Sequence, residues 1–312
     1  MSAARVLDRS PAVGLVGAGA ISVQFGAAFA TKLFGRVGPA GAVTLRLVVA
    51  AIVLLGVMAF RRPGRRAAMA AGVGAGTNPS AVADRGTGAA DRAVAVTFGL
   101  VLAAMNLSFY ESIARIPLGA AVTIEFTGPL CLALVASRRW LDGLWAAAAG
   151  AGVALLASGT GRHFDPVGLL FALIAGAFWV AYILLSKETG RRYESLEGLA
   201  WAMGVGALAV LPFGLAAGGT RLANPSVLGL GVAVGIMSSV VPYSLELMAL
   251  RRVSARAFGV MMSLDPALAT AAGFLILGQH LDLAEWIALA LVVGANLGNS
   301  LRGSALAPTG AS

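Results

Sequence analysis

The sequence predicts an all-α membrane protein with ten transmembrane helices, arranged as two inverted five-helix repeats. Three observations support this prediction: 58% of the residues are apolar and only 12% are charged, the apolar runs are long enough to cross a bilayer, and the two halves of the chain share a pattern. Soluble domains carry roughly 25% charged residues, so this chain has too few polar side chains to cover a water-soluble surface. The runs of roughly 20 apolar residues do not alternate with period two, which favours helices over a β-barrel.

Ten spans are expected in chain order. They lie at about 13–32, 40–60, 93–114, 117–136, 141–158, 166–186, 196–217, 226–247, 254–277 and 283–301. Asp165 and Pro166 mark one helix start, since aspartate caps helices and proline fits the first turn. The segment 61–92 is rich in Gly, Ala and Arg and is predicted to be a mobile cytoplasmic loop. The tail 303–312 is small and polar and is expected to be disordered.

The distribution of basic residues predicts the orientation. With a cytoplasmic N-terminus, 17 of the 23 Lys and Arg residues fall on the inner side, 5 fall outside, and Arg46 lies within the second span. Cytoplasmic loops carry an excess of Lys and Arg, so both termini are expected in the cytoplasm. The expected location is the plasma membrane or, in bacteria, the inner membrane. Because the basic residues sit at the ends of spans, the net charge of +9 is not interpreted as a nucleic-acid-binding signal.

The two halves of the chain share a register. Pro129 and Pro266 lie 137 residues apart, and Lys32 and Lys187 lie 155 apart. Gly128-Pro129 is expected to mark a break within the fourth apolar segment. Five spans per half would invert the second half relative to the first, as in alternating-access transporters whose site lies at the repeat interface. The two repeats are predicted at 11–159 and 160–302.

Carboxylates within apolar spans are costly in a bilayer and mark substrate or proton pathways. Glu125, Glu246 and Asp265 are the candidates for proton coupling. Each has a structural alternative. Glu125 could pair with Arg46 or Arg115, Glu246 could form a salt bridge with a following arginine (Arg251 or Arg252), and Asp265 could cap a helix that restarts before Pro266.

A second set of residues is predicted to bind substrate. The set is Arg46, Asn106, Tyr110, Glu111, Trp179, Tyr182 and Tyr243. An arginine can bind a carboxylate, and an acid or an aromatic face can bind an ammonium group. The alternatives are that Arg46 only pairs with Glu125, that Glu111 reaches the outer interface, and that Trp179 and Tyr182 face lipid.

Other classes of function find little support in the sequence. His163 and His280 fall in predicted outer loops and are too isolated for a metal site. No HExxH or Walker-type motif occurs, so neither an intramembrane metalloprotease nor ATP-driven transport is expected, and no cofactor is predicted. The expected partners are the bilayer, protons and a small molecule. Gly294 and Gly298 form a GxxxG pattern that is compatible with internal packing or with a homodimer.

Three sequence stretches carry a family resemblance: FYESIARIPLGAAVTIEFTGPL, SRRWLD and VPYSLELMALRRVSARAFGVMMSLDPAL. With the ten spans in two halves, they resemble the EamA-type branch of the drug/metabolite transporter superfamily, and within it the threonine/homoserine exporters of the inner membrane. The resemblance covers nearly all of Gly14–Leu301. It implies export of small amino acids by proton antiport, and it implies that the chain is not an enzyme. The alternative is that the chain exports another substrate of transporters with this fold, such as aromatic amino acids, purine-like compounds or cationic drugs.

Two features depart from the family pattern: the long segment 61–92, and Gln279-His280 in place of Gly-Glu.

Overall fold

A computed structural model describes residues 10–70, 88–136, 140–157, 165–193, 197–242, 245 and 262–302. The described chain is built from helices, as the composition predicts. Leucine, alanine and valine residues on their inner faces form one apolar core. Large apolar side chains on the outer faces are exposed, Leu208 at 71% and Leu275 at 67% among them. An apolar exterior of this kind suits contact with lipid.

The first helix, α1 (Ser10–Ala70), is helical throughout except at Gly38, where φ is 70° and ψ is 170°. Only glycine adopts such a conformation without steric cost. Gly26 and Arg46 lie 20 residues apart, which would separate them by about 30 Å along a straight helix. Both contact the same short segment, at Ser238 and Ser239. The chain therefore doubles back at Gly38, and α1 consists of two arms.

The next three helices carry four of the ten predicted site residues. They are α2 (Ala89–Ile113), α3 (Leu118–Glu125) and α4 (Thr127–Ala136). A turn at Arg115–Pro117 reverses the chain between α2 and α3, as the Arg-Ile-Pro sequence predicts. The Gln279 side chain accepts a hydrogen bond from the Leu118 backbone N–H at 3.1 Å, which caps the start of α3.

Three longer helices follow: α5 (Trp140–Ala157), α6 (Pro166–Arg192) and α7 (Glu197–Gly218). Asp165 caps α6 as predicted, since its carboxylate accepts from the Val167 N–H at 2.9 Å. A 3₁₀ turn, Gly219–Ala223, links α7 to the next helix.

The last helices are α8 (Pro225–Gly235), α9 (Asp265–Leu277) and α10 (Leu283–Arg302). α8 continues directly into a π-helical segment, Ile236–Val240. π-helical turns of this kind often occur at functional sites.

Within the described residues, four helical stretches are long and apolar enough to cross a membrane: Gly14–Phe60, Ala89–Ile113, Pro166–Arg192 and Glu197–Ala223. Shorter apolar helices make up the rest of the described bundle. The ten-span count and the inverted repeats remain predictions.

Several predicted boundaries need correction. The predicted link between the first two spans is helical apart from Gly38, and residues 61–70 of the predicted loop continue α1. Residues 65–70 are good helix formers, whereas Pro63 and Gly64 are poor ones, so helix propensity alone does not explain this extension. The predicted span 117–136 is divided at Phe126. Residues 71–87, 254–261 and 303–312 lie outside the described residues.

Candidate functional site

Arg46, on the second arm of α1, is 8% exposed and forms the centre of a polar cluster. Its Nε donates to Ser239 Oγ at 3.1 Å, and its Nη2 donates to the Ser238 carbonyl oxygen at 2.9 Å. Its guanidinium carbon lies 5.6 Å from the centre of the Tyr110 ring, and Nη1 makes a long contact of 3.4 Å with the Tyr110 hydroxyl. A buried guanidinium held through several of its donors is fixed in orientation.

Pro242 explains why the π-helical segment accepts these hydrogen bonds. Proline has no N–H, so it cannot donate to the Ser238 carbonyl four residues earlier, nor in the π register to the Met237 carbonyl five residues earlier. Arg46 donates to the Ser238 carbonyl, and Ser22 Oγ donates to the Met237 carbonyl at 2.7 Å. Polar backbone groups in an apolar bundle need such partners. The two arms of α1 thus supply the donors that Pro242 lacks.

Glu125 is the last residue of α3 and is 9% exposed. Its backbone carbonyl faces Pro129 four residues later, which again offers no N–H. The helix breaks at this point, and Thr127 Oγ1 donates to the neighbouring Ile124 carbonyl at 2.6 Å. The Gly128-Pro129 sequence predicted this break, and the structure places a carboxylate at it.

Asp265 begins α9 and is 4% exposed. The helix begins just before Pro266, but the alternative in which Asp265 is its cap does not hold: Leu264 occupies the N-cap position, and Asp265 lies in the first turn. The reason is that Pro266 takes the second helical position, so the aspartate belongs to the helix itself. A carboxylate in the first turn is stabilised by the helix dipole.

Glu125 is within electrostatic reach of both Arg46 and Asp265. The three side chains come from α3, α1 and α9, which lie far apart in the sequence. Arg46 attracts the Glu125 carboxylate and Asp265 repels it. Of the two predicted structural partners of Glu125, Arg46 interacts with it electrostatically, whereas Arg115 forms ion pairs with Glu111 and Asp165. When all three groups are ionised, the trio carries one net negative charge in a buried setting.

Arg115 instead forms ion pairs at the edge of the bundle. Its Nη1 lies 2.5 Å from Glu111 Oε2, and its Nε lies 3.7 Å from Asp165 Oδ2. Glu111 is thus placed in a partly exposed ion pair and not in the Arg46 cluster. This arrangement matches the alternative in which Glu111 reaches an interface.

Trp179, Tyr182 and Asn106 each contact a neighbouring residue of the bundle. Trp179 packs edge-to-face against Phe126, with ring centres 4.5 Å apart and planes at 88°. Tyr182 stacks at a tilt on Phe98, with ring centres 5.4 Å apart. Asn106 is 3% exposed, lies one turn before Tyr110 on α2, and donates to the Leu102 carbonyl at 2.8 Å.

Tyr243 and Glu246 lie outside the described residues, so their predicted roles stay predictions. Among the residues that the structure does describe, His, Cys, Asp and Glu side chains form no group of three that could hold a metal ion. Sequence reasoning missed Ser238 and Ser239. The signal was available: a proline four residues after Ser238 leaves a carbonyl without its helical donor.

Comparisons with known proteins agree with this architecture. Residues 166–301 match the EamA-like transporter family. The chain is 37% identical over 283 residues to the threonine/homoserine exporter RhtA of Salmonella typhimurium strain SL1344, covering 90% of this chain and 88% of that protein. The threonine/homoserine exporter RhtA of Escherichia coli strain K12 matches with the same identity and coverage. A solved crystal structure that is 22% identical superposes with a TM-score of 0.54 over 97% of this chain and 100% of the other, a likeness of fold alone.

Proposed function

This chain belongs to the EamA-like transporter family, and from that membership we propose that it exports small amino acids, threonine- or homoserine-like, in exchange for protons. The single observation that carries the proposal is the buried trio of Arg46, Glu125 and Asp265, found in a chain 37% identical to threonine/homoserine exporters. The proposed location is the inner membrane, with both termini in the cytoplasm.

The trio suits a zwitterion. An amino acid presents a carboxylate and an ammonium group a few ångströms apart. Arg46 carries the matching cation, with its orientation fixed by Ser238 and Ser239. Glu125 and Asp265 carry the matching anions. Arg46 binds the substrate carboxylate in this proposal, and Glu125 receives the ammonium group. Tyr110 and Asn106 line the same position from α2, with Tyr182 and Tyr243 as further contacts.

The same charge balance supports exchange for protons. Glu125 and Asp265 are both buried, and an ionised carboxylate in a buried setting carries a desolvation cost on the order of several kcal/mol. Either a proton or the ammonium group of a substrate removes that cost. Because both cannot occupy the same carboxylate, binding of one favours release of the other. Glu125 is the proposed coupling acid, with Asp265 as its neighbour and Glu246 as a further candidate.

The test is efflux of labelled threonine from loaded proteoliposomes, with and without a pH gradient. The wild-type protein should release threonine faster when the outer side is acidic. Glu125→Gln should abolish the effect of the gradient and also lower threonine exchange at equal pH, because it removes both the coupling acid and the proposed ammonium site. Glu188→Gln is the matched control, since Glu188 lies at the end of α6 in an ion pair with Arg192. Gradient-driven efflux that is unchanged in Glu125→Gln would remove Glu125 from the coupling role.

A further inference from the structure

We infer that Trp179 sets the upper size limit for the side chain of the exported amino acid. This inference rests on the proposed function, because it takes Glu125 as the ammonium site and Arg46 as the carboxylate site. Trp179 lies on α6, at the point where that helix crosses the break between α3 and α4. Four features of this crossing support the inference.

The first feature is a close backbone contact at Glu125. A Cβ atom added at Gly176 would lie 2.8 Å from the Glu125 carbonyl oxygen. A Cβ atom added at Gly128, on the other side of the break, would overlap the Gly176 backbone. Glycine on both helices allows this approach. α6 is therefore seated directly on the backbone that carries the Glu125 carboxylate.

The second feature is the position of Trp179 relative to this contact. Trp179 follows Gly176 by three residues, and residues three apart are neighbours on one helix face. Trp179 therefore lies on the face of α6 that meets the helix break after Glu125. It packs on the edge of Phe126, the residue directly after Glu125, and is half-buried. Part of the ring surface is thus left for a further contact.

The third and fourth features are ion pairs that join α6 to the α2 region at both ends. Arg192 Nη1 lies 3.1 Å from Asp91 Oδ1 at one end. At the other end, Arg115 Nε lies 3.7 Å from Asp165 Oδ2. Each partly exposed pair contributes only about 0–1 kcal/mol. Together with the glycine contacts they fix the position of α6 along its neighbours, and hence the position of Trp179 beside Glu125.

The geometry leaves one direction for the substrate side chain. An α-amino acid held by its carboxylate at Arg46 and by its ammonium group at Glu125 cannot rotate freely, so its side chain points along a defined path. A rigid aromatic ring next to the ammonium site then limits how far that side chain extends. Small hydroxylated side chains fit in front of the ring, and large apolar or aromatic ones collide with it.

The experiment compares exchange of labelled threonine with exchange of labelled phenylalanine in proteoliposomes. The proteins are the wild type, Trp179→Ala, Trp179→Phe and the control Trp201→Ala. Trp201 lies on α7 and is 50% exposed. Trp179→Ala should raise the ratio of phenylalanine to threonine exchange by about tenfold or more, the usual effect of enlarging a side-chain pocket. Trp179→Phe should shift the ratio in the same direction by less, and Trp201→Ala should leave it unchanged.

A gain of phenylalanine exchange cannot come from a damaged protein, so it would support the inference directly. An unchanged ratio in both Trp179 variants, with threonine exchange intact in the wild type, would overturn it. If Trp179→Ala cannot be purified, the ratio measured for Trp179→Phe decides.

A second measurement separates this inference from the proposed function. The rise in Tm of purified protein on adding threonine or phenylalanine reports binding without transport. Phenylalanine should stabilise Trp179→Ala more than it stabilises the wild type. Wild-type protein that binds threonine but shows no gradient-driven efflux would contradict the antiport proposal and leave the size limit standing. Equal stabilisation of both proteins by phenylalanine would contradict the size limit alone.

Discussion

Arg46 Nη2 donates to the Ser238 carbonyl oxygen at 2.9 Å, across a separation of 192 residues in the chain. This hydrogen bond joins the second arm of α1 to the π-helical segment after α8. It serves two purposes at once. It satisfies a carbonyl to which Pro242 cannot donate, and it orients the guanidinium proposed to bind the substrate carboxylate. The two purposes can be separated by mutation.

Arg46→Lys should lower threonine exchange more than about tenfold, because an ammonium group cannot reproduce the planar, multidentate geometry of the guanidinium. The measurement is initial exchange rate against threonine concentration. The control is Arg36→Lys, since Arg36 contacts Ser226 at an exposed position. Equal exchange rates for Arg46→Lys and the wild type would show that Arg46 contributes only its charge, and that the planar hydrogen-bonding geometry of the guanidinium is not needed.

The Arg46→Gln substitution should lower the free energy of unfolding less in a Pro242→Ala background than in the wild-type protein. Alanine restores the N–H that proline lacks, so the Ser238 carbonyl no longer depends on Arg46. The expected difference is about 1–3 kcal/mol, the cost of leaving a buried acceptor without a partner. A double-mutant cycle on thermal or denaturant unfolding in detergent measures it. Strictly additive effects would contradict the role assigned to Pro242.

Gly176→Ala should destabilise the protein, because its new Cβ would meet the backbone of Glu125 at 2.8 Å and the backbone cannot move aside freely. Overpacking of this kind costs about 1–3 kcal/mol. Gly190→Ala on the same helix is the matched control, since a Cβ there meets nothing within 4 Å. That control should be neutral or slightly stabilising, because alanine favours a helix by about 1 kcal/mol over glycine. Equal Tm values for the two variants would argue against a tight crossing at Glu125.

Asp165→Ala should be less stable than Asp165→Asn. Asparagine keeps the cap on Val167 and loses only the partly exposed pair with Arg115, which is worth about 0–1 kcal/mol. Alanine also loses the cap, at a further cost of about 1 kcal/mol. Unfolding of the wild type and of both variants at low and high salt tests this, because only the wild type has the ion pair, whose contribution should weaken as salt rises. Variants of equal stability would show that the cap contributes nothing.

Much of the fold was predictable because it follows from local properties. The apolar runs predicted the helices, Gly128-Pro129 and Asp265-Pro266 predicted the two breaks, and Asp165-Pro166 predicted the start of α6. Boundaries were less predictable. The extension of α1 to Ala70 depends on helix propagation through an alanine- and arginine-rich stretch that composition also allowed to be a loop.

The candidate site was only partly predictable. Glu125 and Asp265 could be singled out because acids are rare in apolar spans. Glu111 satisfied the same criterion, yet the structure places it in an ion pair with Arg115. The partner of each acid depends on which helices pack together, and that information is not local.

By itself, the sequence determined that this protein is a bundle of membrane-type helices with proline breaks and with acids near those breaks, because hydropathy, charge and backbone chemistry are properties of single residues and their near neighbours. Only the tertiary structure decided that Arg46 meets Ser238, Ser239 and Tyr110, and that α6 crosses the chain at Glu125. The reason is physical: these contacts require Gly38 to reverse α1 and glycines to admit α6, so they arise from how helices distant in the sequence pack against one another.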